Sequence, residues 1–241
     1  MSEEKNTDKN ADQPIVIFEN VSKVYKGNFL ALEGINLDIQ DGEFVSIVGQ
    51  TGSGKSTLLK LIYAEESPTD GDVFFNGNSI RSLKRSKLPY HRRDIGAIFQ
   101  DFKLLPKKTI YENIAYAMEV AGISDQEIKE NVPQILDIVG LGDKAEKYPR
   151  QLSGGEQQKV AIARALVHSP MIIVADEPTG NLDPISSLEI VDLLIKINKL
   201  GTTVILASHD KDIVDKANKR VIVLEKGRVV ADYARGKYKM S

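Results

Sequence analysis

The sequence predicts an α/β fold in which a helical lobe interrupts the sheet. Short apolar runs rich in valine and isoleucine recur along the chain, and such runs are typical of strands buried on both faces. Segments with helical spacing separate most of these runs, and between about residues 109 and 167 the pattern is wholly helical. A chain of 241 residues is long enough to bury a substantial core. We therefore expect a folded region over residues 15–233, with its helical part at about 101–167.

The first part of the chain supplies a tail and the first strands. Met1 to Gln13 are polar and charged and contain no secretory signal, so residues 1–14 are expected to form a disordered tail. Strands are predicted at 15–18, 34–39 and 43–48. The last of these ends in glycine, and a glycine-rich turn and a helix at 56–64 follow it directly.

The remaining elements alternate between short apolar strands and helices. Further strands are predicted at 73–75, 95–99, 171–175, 203–207 and 221–224. Helices are predicted at 110–120, 125–139 and 156–167. Residues 234–241 are expected to form a C-terminal tail.

The composition excludes some classes of protein. Lys+Arg 32 against Asp+Glu 34 gives a formal net charge of -2, so we predict no nucleic-acid partner. The chain has no cysteine, which excludes disulfides and thiolate chemistry. No apolar run approaches the roughly 18 residues of a membrane span, so membrane contact is expected only through a partner. The basic segment 81–93 is interpreted as a solvated connector rather than as a nucleic-acid patch.

The glycine-rich turn after strand 43–48 has the pattern of a phosphate-binding loop, with the required strand before it and helix after it. Glycines let successive N–H groups point at phosphates, and the helix N-terminus adds positive potential. Lys55 adds a full charge, and Ser56 can ligate Mg²⁺. The alternative is a Gly/Ser-rich turn with a surface lysine. The predicted phosphate-binding residues are Gly49, Gln50, Thr51, Gly52, Ser53, Gly54, Lys55, Ser56 and Thr57.

Two adjacent carboxylates end the apolar strand at 171–175. At this edge of a nucleotide-binding sheet, Asp176 can hold Mg²⁺ through water. Glu177 can orient and polarise the water that attacks a phosphate. The alternative is that these acids only cap the next element.

A second anion-binding helix start is predicted at Ser153, Gly154 and Gly155, which open the helix at 156–167. Two phosphate-binding helix starts in different lobes of one chain indicate that each completes a site of another copy, as in a symmetric dimer. The alternative is a glycine-rich cap with no ligand.

Taken together, these motifs resemble those of the ABC ATPase family, from about residue 15 to residue 233. The resemblance implies a RecA-like core sheet, an N-terminal antiparallel β subdomain and a helical subdomain. It also implies hydrolysis of ATP with Mg²⁺ by a homodimer that forms on ATP binding. In that family, Tyr25 would stack on adenine, Gln100 would reach Mg²⁺ and the attacking water, and His209 would contact the γ-phosphate. Residues 181–183 would cross the dimer interface.

The segments 99–106, 109–114 and 117–120 are similar to those of the cell-division ATPases within this family. This similarity implies an integral membrane partner resembling FtsX, a docking site around residues 100–113 and a location at the cytoplasmic face of the cell membrane. The run 176–183 is shared with lipoprotein-releasing and macrolide-export ATPases, so an exporter motor stays an alternative. A second alternative is a scaffold that binds ATP without hydrolysing it.

Overall fold

The computed structural model describes residues 14–235, so most of the tails predicted at 1–14 and 234–241 lies outside the described residues. The strands are β1 Pro14–Tyr25, β2 Phe29–Gln40, β3 Phe44–Val48, β4 Asp70–Phe75, β5 Asn78–Ser79, β6 Ile95–Phe99, β7 Ile172–Asp176, β8 Thr203–Ser208, β9 Arg220–Glu225 and β10 Arg228–Tyr233. The helices are α1 Lys55–Ile62, α2 Leu88–Arg93, α3 Ile110–Val120, α4 Asp125–Ile138, α5 Gly154–Leu166, α6 Pro184–Lys199 and α7 Lys211–Ala217.

The central sheet has six strands in the order β10-β9-β3-β8-β7-β6. All neighbouring pairs are parallel except β10 on β9. β3 and β8 are buried at every position, which explains why their sequences are continuous apolar runs. A second, antiparallel sheet has the order β2-β1-β4-β5.

Apolar side chains form a core on each face of the central sheet. One core includes Ile114, Ile162 and Leu194, from helices α3, α5 and α6. The other lies between the central sheet and the antiparallel sheet and includes Leu58 from α1 and Phe18 from β1. Helices α3, α4 and α5 pack on one another and follow β6 in the chain before it returns to the sheet at β7.

The structure corrects several predicted element bounds. β1 continues to Tyr25 and β2 begins at Phe29, so both strands are longer than predicted. The prediction missed these parts because bulges near Val21 and Lys23 break the alternation that marks a strand in sequence. β10 was not predicted, since its residues are mostly exposed at the sheet edge.

The basic segment 81–93 is more than a solvated connector. It contains α2, whose His91 is buried with its Nε2 atom 2.8 Å from the carbonyl oxygen of Ile62. Arg92 donates to the carbonyl oxygens of Tyr63 and Ala64 at 3.2 and 3.0 Å. The segment therefore binds the carbonyl end of α1. Within residues 14–235, no helix is long and apolar enough to cross a lipid bilayer.

Candidate active site

Four neighbouring strands of the central sheet end at the same edge, and each is followed by a predicted site residue. In spatial order, Gly49 follows β3, His209 follows β8, Glu177 follows β7 and Gln100 follows β6. The parallel register places Val48 beside Ser208 and Asp176 beside Phe99, so the four strand ends are level. The sheet therefore brings together residues that lie as much as 160 positions apart.

The loop between β3 and α1 is shaped by its glycines. Gly54, at the start of α1, has φ 108°, and a Cβ atom there would lie 2.7 Å from the carbonyl oxygen of Ala31. A Cβ atom on Gly49 would lie 2.2 Å from the carbonyl oxygen of Leu224. Neither position accepts a side chain without movement of backbone. Among the described residues, the buried Ser53 Oγ atom has no hydrogen-bond partner, which suits a loop built to receive an acceptor.

Lys55 is the charged group of this loop. Its side chain is 6% exposed, and its Nζ atom donates to the carbonyl oxygens of Gly49 and Gln50 at 2.7 and 3.3 Å. The same Nζ atom lies 3.3 Å from Oε1 of Glu177. A buried ammonium group is stable only with such partners, and a phosphate can replace the carboxylate among them.

Glu177 lies at the centre of the strand ends with a left-handed backbone, at φ 50°. Its amide nitrogen donates to the carbonyl oxygen of Ala207 at 3.0 Å, which fixes this conformation against β8. Its Oε2 atom lies 2.9 Å from Nδ1 of His209. A residue other than glycine in this region costs about 1–3 kcal/mol, and functional sites are one of the places where such strain recurs.

The predicted metal-binding residues offer oxygen atoms. Ser56 Oγ donates to Oδ1 of Asp176 at 3.0 Å. Burial raises the pKa of Asp176, the hydrogen bond from Ser56 opposes that shift, and the adjacent charge of Glu177 adds to it. A divalent cation would favour the ionised carboxylate again. Mg²⁺ takes oxygen ligands from one or two carboxylates together with phosphates, so Ser56, Asp176 and Gln100 fit this ion. Residues 14–235 contain no cluster of three or more His, Asp or Glu side chains that would hold a metal without phosphates.

A cavity of about 390 Å³ lies against these groups. Its lining consists of Phe29, Thr51, Gly52, Gly54, Lys55, Ser56, Thr57, Gln100, Glu177 and His209. Asp176 lines an adjoining cavity of about 310 Å³ that also includes Ser56, Gln100 and Glu177. Six of the nine predicted phosphate-binding residues therefore share one region of the surface with the predicted metal-binding and catalytic side chains, whereas Gly49, Gln50 and Ser53 line neither cavity.

Phe29 is a lining residue that sequence reasoning missed. It is 60% exposed and pairs with Tyr25 at the end of the β1–β2 hairpin. The hydroxyl of Tyr25 lies 3.5 Å from Oγ1 of Thr57, while the Nζ atom of Lys23 lies 5.0 Å from the centre of its ring. Tyr25 is therefore next to the cavity without lining it, and its contact with adenine stays a prediction. The only sequence signal for Phe29 is an aromatic residue four positions after Tyr25.

Ser153, Gly154 and Gly155 do not line the cavity around Lys55. Ser153 is the N-cap of α5 and forms a reciprocal pair of hydrogen bonds with Glu156. Lys144 makes an ion pair with the same Glu156 carboxylate. A Cβ atom on Gly155 would lie 2.9 Å from the Cβ atom of Ser186, so this glycine permits close packing of α5 on α6. One chain thus contains two separate candidate phosphate-binding surfaces.

Comparison with known proteins decides the family. The family described as ABC transporter matches residues 32–180. This chain belongs to the ABC transporter ATPase family. It is an ATPase of the ABC type, and the fold predicted from the sequence is confirmed by solved structures of ABC cassettes. A cassette from Clostridium perfringens, cbiO1, part of an ABC transporter complex, has a TM-score of 0.86 and 33% identity over 92% of this chain and 88% of that chain.

A second solved ABC cassette, MJ0796, is described as a dimer in a post-hydrolysis state bound to ADP and phosphate. It has a TM-score of 0.82 and 39% identity over 92% of this chain and 99% of that chain. Among curated ABC proteins, the cell division ATP-binding protein FtsE of Bacillus subtilis is 49% identical over 93% of this chain and 98% of its own length. FtsE of Mycobacterium tuberculosis is 49% identical over 94% and 99%, and FtsE of Escherichia coli is 46% identical over 89% and 97%.

Proposed function

We propose that this chain is the ATP-hydrolysing subunit of a cell-division system, in which a homodimer formed on ATP drives an integral membrane partner resembling FtsX. The output would be control of cell-wall hydrolysis rather than movement of a solute. The single observation that carries the catalytic part is the meeting of Lys55, Gln100, Glu177 and His209 around one cavity at level strand ends. The similarity to FtsE over almost the whole chain supports the cellular role.

Each catalytic residue has a role that follows from its contacts. Lys55 and the loop N–H groups bind the phosphates, and binding separates Lys55 from the Glu177 carboxylate. Glu177 then orients and polarises the attacking water. His209, held 2.9 Å from Glu177, contacts the γ-phosphate and keeps Glu177 in position. Magnesium, bound by Ser56, Gln100 and Asp176, would neutralise charge on the phosphates.

The dimer follows from the division of the phosphate-binding groups between two surfaces of one chain. In the proposed assembly, Ser153, Gly154 and Gly155 of one copy complete the site around Lys55 of the other, as in an isologous pair. ATP then links the two copies. Loss of the γ-phosphate removes that link, and the copies separate.

The partner is proposed to dock in a groove beside Gln100. A cavity of about 410 Å³ is lined by Asp101, Phe102, Lys103, Leu104, Pro106, Pro149, Arg150, Gln157 and Asn181. Arg164 donates to the carbonyl oxygens of Phe102 and Lys103 at 3.1 and 2.8 Å, which holds one wall of the groove. A cytoplasmic helix of the partner would fit such a groove and place the ATPase at the cytoplasmic face of the membrane.

The test is co-purification from detergent-extracted membranes of the native cell, with the Glu177→Gln chain as bait and ATP and Mg²⁺ present. The expected companion is a membrane protein with four spans and an extracytoplasmic loop. Lys55→Ala is the matched control and is expected to recover less of it. Recovery instead of a partner with a large domain for lipoproteins or drugs would contradict the cell-division role. Such a result would leave the ATPase assignment intact.

A further inference from the structure

Two amide side chains bind each other at the edge of the proposed nucleotide site. Asn181, in the loop between β7 and α6, donates from Nδ2 to the backbone carbonyl oxygen of Gln100 at 3.3 Å. Gln100 donates from Nε2 to Oδ1 of Asn181 at 3.2 Å. These hydrogen bonds join two loops that follow neighbouring strands.

The chemistry of the two amides fixes the direction of both hydrogen bonds. A backbone carbonyl only accepts, so Asn181 must present its NH₂ group to Gln100. The Oδ1 atom of Asn181 then faces the side chain of Gln100, and because this oxygen only accepts, Gln100 must present Nε2 to it. The oxygen atom Oε1 of Gln100 is consequently the atom left for a cation.

Gly180 gives an independent reason to connect this loop with Gln100. A Cβ atom at position 180 would lie 2.8 Å from Nε2 and 3.1 Å from Cδ of Gln100. The backbone of Gly180 is not in the left-handed region, so its conformation does not require glycine. The missing side chain instead leaves space for the carboxamide of Gln100.

We propose that Asn181 is a positioning residue that fixes the carboxamide of Gln100 so that Oε1, rather than the NH₂ group, is offered to the divalent cation that accompanies ATP. The inference rests on the proposed function, in which Gln100 binds magnesium. Without Asn181, the carboxamide can rotate by about 180° and present a donor, which a cation repels. Asn181 thus acts on the metal through Gln100 and not by contact.

The measurement is the affinity for a fluorescent non-hydrolysable ATP analogue, mant-AMP-PNP, in Mg²⁺ and in EDTA. The dissociation constant in EDTA divided by the dissociation constant in Mg²⁺ reports the contribution of the metal to binding. This ratio is measured without any turnover. Asn181→Ala is expected to reduce this ratio about twofold to tenfold, the effect of one or two exposed hydrogen bonds, and to leave the affinity in EDTA unchanged. Gly180→Ala is expected to act in the same direction, since it displaces the same amide. Asn131→Ala, an exposed asparagine on α4, is the matched control.

A double-mutant cycle separates positioning from a general structural role. In a Gln100→Ala background, Asn181→Ala is expected to have no further effect on the ratio. Additive effects, a wild-type ratio in Asn181→Ala, or a loss of affinity in EDTA would each overturn the inference. A wild-type chain whose analogue affinity is the same in Mg²⁺ and in EDTA would instead overturn the proposed magnesium-dependent function, whatever Asn181 does.

Discussion

Replacement of Glu177 by glutamine is the most direct test of the proposed chemistry. The substitution changes charge without changing shape, because glutamine keeps the length of the side chain and tolerates the same backbone conformation at φ 50°. It removes the carboxylate that lies 3.3 Å from Lys55 and 2.9 Å from His209. Folding and nucleotide binding are therefore expected to persist, while the group that polarises water is lost.

The expected loss of turnover follows from the role of a general base. Such groups contribute about 10²–10⁴-fold to rate, which corresponds to roughly 2.7–5.5 kcal/mol of activation free energy. Phosphate release at saturating ATP and Mg²⁺ measures this loss. Light scattering after size-exclusion chromatography measures the second expected result, an accumulated dimer that contains ATP.

The control for both measurements is Lys55→Ala, which is expected to show neither binding nor a dimer. Steady-state hydrolysis by Glu177→Gln at the wild-type rate would refute the catalytic role of Glu177. Loss of turnover without a dimer would leave that role in place and contradict the proposed link between ATP and assembly.

The remaining predictions concern binding, assembly and stability. Lys55→Ala is expected to lower ATP affinity by at least about 100-fold, since a full charge in contact with phosphate is lost. Isothermal titration calorimetry measures this affinity, and an unchanged value would contradict the role of the phosphate-binding loop. Mixing Ser153→Ala with Lys55→Ala chains is expected to restore about one active site per heterodimer, and no gain in phosphate release on mixing would contradict the shared site. Asp176→Asn is expected to raise the melting temperature of the nucleotide-free chain at pH 7, as measured by thermal unfolding. The sign follows from the raised pKa of Asp176, which means that ionisation of this carboxyl lowers the free energy of unfolding. This loss of stability is absent below the pKa of the unfolded chain and fully present once the pH exceeds the pKa in the folded chain. Asparagine cannot ionise and therefore removes the loss. A lower melting temperature would contradict it.

The fold was predictable from sequence wherever a buried strand consists of a continuous run of apolar residues. β3, β7 and β8 are buried parallel strands, and the apolar runs predicted as strands at 43–48, 171–175 and 203–207 identified them. β10 has no such pattern, since it is an exposed edge strand held by pairing with β9. The end of the β1–β2 hairpin was missed because bulges place residues out of alternation.

The site was predictable where its chemistry depends on consecutive residues. Close approach of the backbone requires glycine at positions 49 and 54, so the sequence of that loop records its geometry. Phe29 reaches the same cavity only through strand pairing, and Asn181 reaches Gln100 across 81 positions. Such contacts depend on the topology of the sheet, and no local spacing records them.

The order of residues around Gln100 gives a physical route from the nucleotide to a partner. Gln100 lines the cavity at the strand ends, while the next residue, Asp101, already lines the groove proposed for docking. Arg164 of α5 connects this helix to the groove segment, since it donates to the carbonyl oxygens of Phe102 and Lys103. A displacement of Gln100 would thus be passed to α5, the helix whose N-cap is Ser153. This connection would therefore join three events, namely metal binding at Gln100, a change in the groove and the approach of Ser153 to a second copy.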